Sequence, residues 1–430
     1  MNPFPKPLRL TLWCLLAMLQ LACVPQPTLA LAPTPTPLPT FTPTATPSAT
    51  PLGPTATLFP SATPARTPTP THTPVVPVAF RSIQMIDNRT GWAVADVGRG
   101  ATTRILRTED GGLSWRDRSP LDGDFFHGYF LDGSTAWAWT TWGGLAFRTL
   151  DGGRSWEEVG SMAVDPYTGF VDSQHGWQLL AEQWGLSFRQ FDILSFTTTQ
   201  DGGQTWQETN PPPGWGTAYM AYPSAQTVWA VRAGFAKTIE GVPNLGVPYR
   251  IETTFDGGRT WTTRQMPLPA EAFTHRREHE GTYLSGVGNC EFVSPVYNSI
   301  AIWKVALTCE HASWMYTTAT QGKTWIISPM PAGAYAQLQF VNPRQGWLFV
   351  LDSEDDYLGT LYRTSSGGQG WELVKRTGWK HLSLSFVDDQ IGWAVACDMV
   401  YCYQQDAERA LVKTTDGGQT WQVLEPRLVP

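Results

Sequence analysis

Charged side chains are scarce in this sequence: Asp, Glu, Lys and Arg make up 16% of its 430 residues. That shortage argues against long charge-laced helices. A basic excess is absent as well. With 30 Lys and Arg against 37 Asp and Glu, the net charge is -7 and the pI near 5.5, which argues against phosphate-driven nucleic-acid binding. The apolar run near the start, Leu10 to Ala22, holds 13 residues and is too short to span a bilayer. Cysteines number only six, and Cys14 and Cys23 fall in that opening segment. The other four, Cys290, Cys309, Cys397 and Cys402, show no Cys-Cys-His spacing, so neither a metal nor another cofactor is expected. What is plentiful is Gly (40), Pro (35) and Trp (21), the mixture of a chain built from short strands and many turns.

Lys6 and Arg9 precede the apolar run, giving residues 1–23 the order of a signal peptide. Its end, Gln20-Leu21-Ala22-Cys23, resembles the bacterial lipoprotein signal, which implies lipid modification of Cys23 and an extracytoplasmic, membrane-anchored location; plain secretion is the alternative. In an exported domain the four remaining cysteines are expected to form disulfides, Cys290 with Cys309 and Cys397 with Cys402 by proximity. Residues 24–78 are dominated by Pro, Thr and Ala, as in PTPTPLPTFTPTATPSATP. Proline fixes φ and lacks a backbone donor, so no helix or sheet persists there. The segment reads as a disordered stalk spanning up to about 150 Å if it were fully polyproline-like.

The rest of the chain is repetitive. Seven segments share one pattern: TEDGGLSW ending at Trp115, TLDGGRSW at Trp156, TQDGGQTW at Trp206, TFDGGRTW at Trp261, TATQGKTW at Trp325, TSSGGQGW at Trp371 and TTDGGQTW at Trp421. Their tryptophans are 41, 50, 55, 64, 46 and 50 residues apart, the size of a four-stranded propeller blade. A second repeat interleaves: GWAVA at Trp92, AWAW at Trp137, GWQLL at Trp177, VWAV at Trp229, IWKVA at Trp303, GWLFV at Trp347 and GWAVA at Trp393. The step from each first-repeat Trp to the next of these is 22, 21, 23, 42, 22 and 22 residues, one fixed unit with a single insertion near 266–289. Leu382, Leu384 and Phe386 alternate with Ser383 and Ser385, the period of a half-buried strand. The turns that follow, such as Asp388 to Gly392, open on an Asx residue and close on Gly.

These features predict an all-β chain: a seven-bladed β-propeller of four-stranded antiparallel blades over residues 79–426. Strands A and B form the first hairpin of each blade, and the DGG segment is the C–D turn. In that turn an Asp carboxylate accepts backbone N–H groups, glycines supply positive φ, and the Trp pins the turn to the blade. Blade five departs with Thr320-Gln321 for Asp-Gly and blade six with Ser366 for Asp. The segments resemble the Asp-box, or BNR, repeat of sialidases, some endoglucanases and sortilin-type receptors. The coupled rhythm is similar to that of the photosystem II stability and assembly factor family, over roughly residues 79 to 425. That resemblance implies a seven-bladed propeller that binds assembly intermediates.

Propeller geometry puts the A–B and C–D turns on one face and the B–C and D–A loops on the other. Asp110, Asp151, Asp201, Asp256 and Asp416 are therefore read as structural, with no catalytic residue assigned. Long B–C connections are expected at about 182–195, 233–249, 352–359 and 397–409. Trp142, Trp184, Trp215 and Trp379 fall in or beside the loop-face connections, where aromatics stack on sugars or anchor proteins; the alternative is that each packs under its own loop. His275, His279 and Glu280 match no metal motif and are read as a solvated loop. The expected function is a monomeric, membrane-anchored scaffold that binds a protein or glycan partner without catalysis. The alternative is a glycoside hydrolase, for which Asp192, Glu240, Glu278 and Asp355 are loop carboxylates that nothing in the sequence pairs.

Overall fold

The computed structural model describes residues 77–98, 102–123, 125, 127–140, 144–162, 168–183, 191–209, 218–234, 247–269, 291–292, 297–299, 301–308, 312–333, 336–352, 358–398 and 409–430. Every regular element among them is a strand, and the strands form seven sheets in chain order.

Blade 1 is β1 (Val78–Met85), β2 (Gly91–Val97), β3 (Thr102–Thr108) and β4 (Ser114–Asp117). Blade 2 is β5 (His127–Phe130), β6 (Ala136–Trp139), β7 (Leu145–Thr149) and β8 (Glu157–Ser161). Blade 3 is β9 (Thr168–Phe170), β10 (Gly176–Gln183), β11 (Phe191–Thr199) and β12 (Gln207–Thr209). Blade 4 is β13 (Ala218–Ala221), β14 (Val228–Gly234), β15 (Val247–Thr254) and β16 (Thr262–Gln265). In blade 5 the inner strand comes in two pieces, β17 (Glu291–Phe292) and β18 (Tyr297–Asn298), both paired with β19 (Trp303–Thr308); β20 (Ser313–Thr318) and β21 (Ile326–Met330) follow. Blade 6 is β22 (Ala336–Phe340), β23 (Gly346–Asp352), β24 (Leu358–Thr364) and β25 (Glu372–Arg376). Blade 7 is β26 (His381–Phe386), β27 (Gly392–Cys397), β28 (Arg409–Thr414) and β29 (Gln422–Val423). Each blade is an antiparallel meander, and the fold is the seven-bladed propeller.

The sequence reading contains no further strand, yet β30 (Arg427–Val429) pairs in parallel with β4 as a fifth, outer strand of blade 1. Arg427 N–H donates to Leu113 O at 3.1 Å, and Leu428 packs on the cluster containing Trp115. The ring closes between blades 7 and 1 by packing as well: Phe80, Met85 and Trp115 share a core with Trp393, Leu411 and Leu424. Met85 N–H also donates to Ser385 Oγ at 2.7 Å.

That closing core is one of seven, one for each pair of neighbouring blades. A strand buried between two blades presents one set of alternate residues backward and the other forward. In β2, Ala93 and Ala95 face blade 7, whereas Trp92 and Val94 face blade 2. Among the described residues the hydrophobic core is therefore made of blade-to-blade contacts.

Candidate functional site

The Asp boxes repeat one hydrogen-bond pattern. Around Asp151, Thr149 Oγ1 donates to Oδ1 at 2.9 Å, Ser155 N–H donates to the same oxygen at 2.9 Å, and Ser155 Oγ donates to Oδ2 at 2.6 Å. Asp110, Asp201, Asp256 and Asp416 are held in the same way by Ser114, Thr205, Thr260 and Thr420. The Ser155 hydroxyl and N–H hold the Asp151 carboxyl down to about 2, and those of Thr260 do the same for Asp256. At Asp201, partial burial pushes the carboxyl up, but hydrogen bonds from Thr205 and Thr199 outweigh it and bring it to about 2. A carboxyl held ionised by its own turn cannot serve as a general acid at neutral pH.

The divergent boxes keep the turn with weaker acceptors. In blade 5, Thr324 N–H donates to Thr320 Oγ1 at 2.9 Å, and Gln321 adopts a φ of 55°, the one positive φ outside glycine among the described residues. In blade 6, Gly370 N–H donates to Ser366 Oγ at 2.9 Å. Because Thr318, Thr324 and the turn geometry are already present in blade 5, Thr320→Asp adds charge-assisted hydrogen bonds without rearrangement. It is expected to stabilise the fold by about 1 kcal/mol and raise the thermal midpoint by about 2 °C, read by scanning calorimetry.

The two repeats anchor one another across blades. Trp137, Trp347 and Trp393 donate their indole N–H to Gly202 O, Gly417 O and Gly111 O, the first box glycine of the following blade, at 2.9, 3.0 and 2.8 Å. The inner-strand aromatic of that blade covers the indole: Phe170 stacks on Trp137 at 3.6 Å and Phe386 on Trp347 at 3.7 Å. The glycines before Trp177 and Trp393 make room for the inner-strand ring of their own blade, since a Cβ on Gly176 or Gly392 would lie 2.5 Å from Phe170 or Phe386. Opposite the tryptophan on strand C stands a cation in four blades: Arg107, Arg148, Arg363 and Lys413.

Blade 5 departs from this register. There Trp303 pairs with the box threonine Thr318, so it faces backward and stacks on Trp229 at 5.2 Å. Lys304 takes the place of the forward-facing tryptophan. Its Nζ donates to Gly367 O at 2.7 Å, the acceptor an indole uses elsewhere, and lies 5.0 Å over the Phe340 ring. Burial brings the Lys304 ammonium down to about 8. The signal was present in the turn, not in the tryptophan. Counting five residues from the turn-opening Asp87, Asp132, Asp172, Ser224, Asn342 or Asp388 reaches a tryptophan, and from Ser299 it reaches Lys304. Ser299 Oγ accepts Ile302 N–H at 3.0 Å, as Asp87 Oδ1 accepts Thr90 N–H at 2.6 Å.

The first box glycine also donates to the A–B turn of its own blade, as Gly111 N–H does to Arg89 O at 2.8 Å and Gly417 N–H to Gln390 O at 2.9 Å. Boxes and A–B turns thus share one face, and the strand ends that lead into the B–C and D–A connections lie at the other. The B–C connections are residues 98–101, 140–144, 184–190, 235–246, 309–312, 353–357 and 398–408. Those of blades 3, 4, 6 and 7 are shorter than the sequence suggested because the flanking strands run further. Asp192 consequently lies in β11, paired with Glu182, rather than in a loop.

Of the four candidate tryptophans, Trp142, Trp184 and Trp215 lie outside the described residues. Trp379 is half-buried, edge-on to Trp421 at 5.6 Å and packed against the core between blades 6 and 7. Cys397 is buried at the end of β27 and disulfide-bonded. Cys290, Cys309 and Cys402 lie outside the described residues, as do Cys23, Glu240, Glu278, Asp355, His275, His279 and Glu280. Among the described residues no helix is long and apolar enough to cross a membrane, and no three His, Cys, Asp or Glu side chains cluster as metal ligands.

No protein-family model matches the chain, and no curated protein matches it. Solved structures similar to it include YCF48 bound to D1 peptide, 17% identical with a TM-score of 0.42, the match covering 70% of this chain and 80% of that one. YCF48 from Cyanidioschyzon merolae is 14% identical with a TM-score of 0.46, covering 80% and 97%. The GH74 enzyme of Niastella koreensis is 10% identical with a TM-score of 0.31, covering 79% and 61%. The blade count rests on the strand topology of this chain itself.

Proposed function

We propose that the chain is a binding or assembly propeller, held outside the cytoplasmic membrane by a lipid on Cys23 and the stalk of residues 24–78. It engages a protein or glycan through its B–C and D–A connections. One observation carries the reading. Variation is concentrated on that face, where B–C connections range from residues 98–101 to 235–246, while on the box face the first box glycine bonds the A–B turn in six of the seven blades. Recognition generally resides in unlike loops on a uniform scaffold. The described box carboxylates are engaged by hydrogen bonds within their own turns.

Replacing Trp142, Trp184 and Trp215 together by Ala tests the aromatic contribution, with Trp379 left in place because it packs on Trp421. Capture of membrane-protein cross-links, or glycan-array binding, is expected to fall at least tenfold, about 1.4 kcal/mol, with circular dichroism unchanged. Undiminished capture by the triple variant contradicts the reading.

A further inference from the structure

The strand-C cations occupy a recurring seat between one blade and the next. Arg107 donates to Gly133 O at 2.8 and 3.2 Å, and Arg148 to Ser173 O at 3.1 Å and Asp201 O at 3.0 Å. Arg363 stands 3.6 Å from Asp389, and Lys413 lies 4.6 Å over the Trp393 ring. Each seat is filled closely. A Cβ added to Gly152, Gly202 or Gly417 would meet Arg107, Arg148 or Arg363 at 3.0, 1.8 or 2.9 Å. On Gly367 and Gly111 it would meet Lys304 and Lys413 at 3.2 and 3.4 Å.

Between blades 3 and 4 the seat is vacant. The residue opposite Trp177 is Thr198, which is too short to reach across. A Cβ on Gly257 would meet nothing closer than 4.0 Å. A cleft of about 520 Å³ opens there, with Trp177, Thr198, Glu208, Ala225 and Asp256 among its walls. Arg259 and His175 are its other charged or titratable walls. Ala225 stands in its turn where Gly133 and Ser173 stand in theirs, so its carbonyl is the corresponding acceptor. A second observation is independent of this. Trp177 is 1% exposed and its Nε1–H, like those of Trp229 and Trp303 in the second repeat, has no partner, although the same atom of Trp137, Trp347 and Trp393 is bonded. Between blades 4 and 5 strand C also lacks the cation, having Thr253, but there Trp303 stacks on Trp229 and Gln321 replaces the first box glycine.

We infer that the cleft between blades 3 and 4 binds a lysine or arginine side chain of a partner polypeptide, which supplies in trans the cation that blades 1, 2, 5, 6 and 7 carry in cis. The ammonium or guanidinium is set against the Ala225 carbonyl, Glu208 and the Trp177 indole. A carbonyl of the same peptide serves the unpaired Trp177 N–H. This site lies on the box face and is independent of recognition by the loop face.

The full chain carrying 5-fluorotryptophan provides the test, with the Trp177 fluorine resonance assigned through Trp177→Phe. Acetyl-Gly-Arg-Gly-amide is expected to shift that resonance saturably, with a dissociation constant of about 1 mM or tighter. Acetyl-Gly-Glu-Gly-amide is expected to leave it unmoved. Thr198→Arg refills the seat from within and is expected to abolish the response while raising the thermal midpoint. If Thr198→Arg does not fold, Glu208→Gln is the second variant, expected to weaken the response several-fold. Absence of a saturable shift, an equal shift with the Glu peptide, or a full response in either folded variant overturns the inference.

Discussion

Trp347→Ala is expected to cost about 3–5 kcal/mol of folding stability, a large share of what a domain possesses. Trp347 is fully buried, stacked on Phe386 at 3.7 Å, bonded to Gly417 O at 3.0 Å and covered by the Arg363 guanidinium at 5.9 Å. Truncation removes a large ring from a close-packed interface, leaves a buried carbonyl without its donor and strips the cation of its aromatic face. Phe386, Arg363 and Gly417 belong to three different structural roles, and all three lose a partner in one substitution. Urea denaturation followed by tryptophan fluorescence reads the loss, as a lower midpoint at unchanged slope if the transition stays cooperative.

A pair of glycine substitutions separates backbone strain from occupation of the cation seat. Gly202 and Gly257 are equivalent first box glycines with φ of 76° and 73°. Alanine at either position takes on the cost of a left-handed residue, about 1–2 kcal/mol. At Gly202 the new Cβ would also stand 1.8 Å from Arg148 Nη1 and 2.6 Å from Ser173 O. The Arg148 seat must then be rebuilt, and the expected total is about 3–4 kcal/mol. Gly257→Ala meets nothing closer than 4.0 Å and should show the backbone cost alone. Equal losses at the two sites, measured by the same denaturation, would remove the evidence that a cation packs the one seat and not the other.

Much of this structure was legible in the residues. The box motif recurs seven times with a tryptophan whose spacing matches a four-stranded blade, and the second repeat gives the phase. The sequence also places Arg107, Arg148 and Arg363 just before their boxes. Their absence before Gln200 and Phe255 was equally visible, but its meaning depends on where the next blade's carbonyls lie, which no local pattern states. Blade 5 misled because IWKVA contains the expected tryptophan at nearly the expected place. Packing chose the register by the turn that begins at Ser299, and a shift of one residue reverses which blade a side chain faces. The strand β30 was invisible for a different reason. Three residues, Arg-Leu-Val, carry no periodicity, and only the exposed edge of β4 makes them a strand. The connections on the loop face carry no repeat, so their sequences state length and composition without shape.

The central claim is that the forward-facing tryptophans Trp137, Trp347 and Trp393 hold the box of the following blade, so that these joints stabilise the ring. Trp393→Phe tests it most directly. The substitution keeps an aromatic ring but removes the indole N–H that donates to Gly111 O at 2.8 Å, across 282 positions of sequence. Amide hydrogen exchange by mass spectrometry reads each blade separately. The expected result is faster exchange in residues 109–115 of blade 1 as well as in β27 of blade 7, with residues 254–261 of blade 4 unchanged. Faster exchange confined to blade 7, with the blade 1 box as protected as before, would contradict the claim.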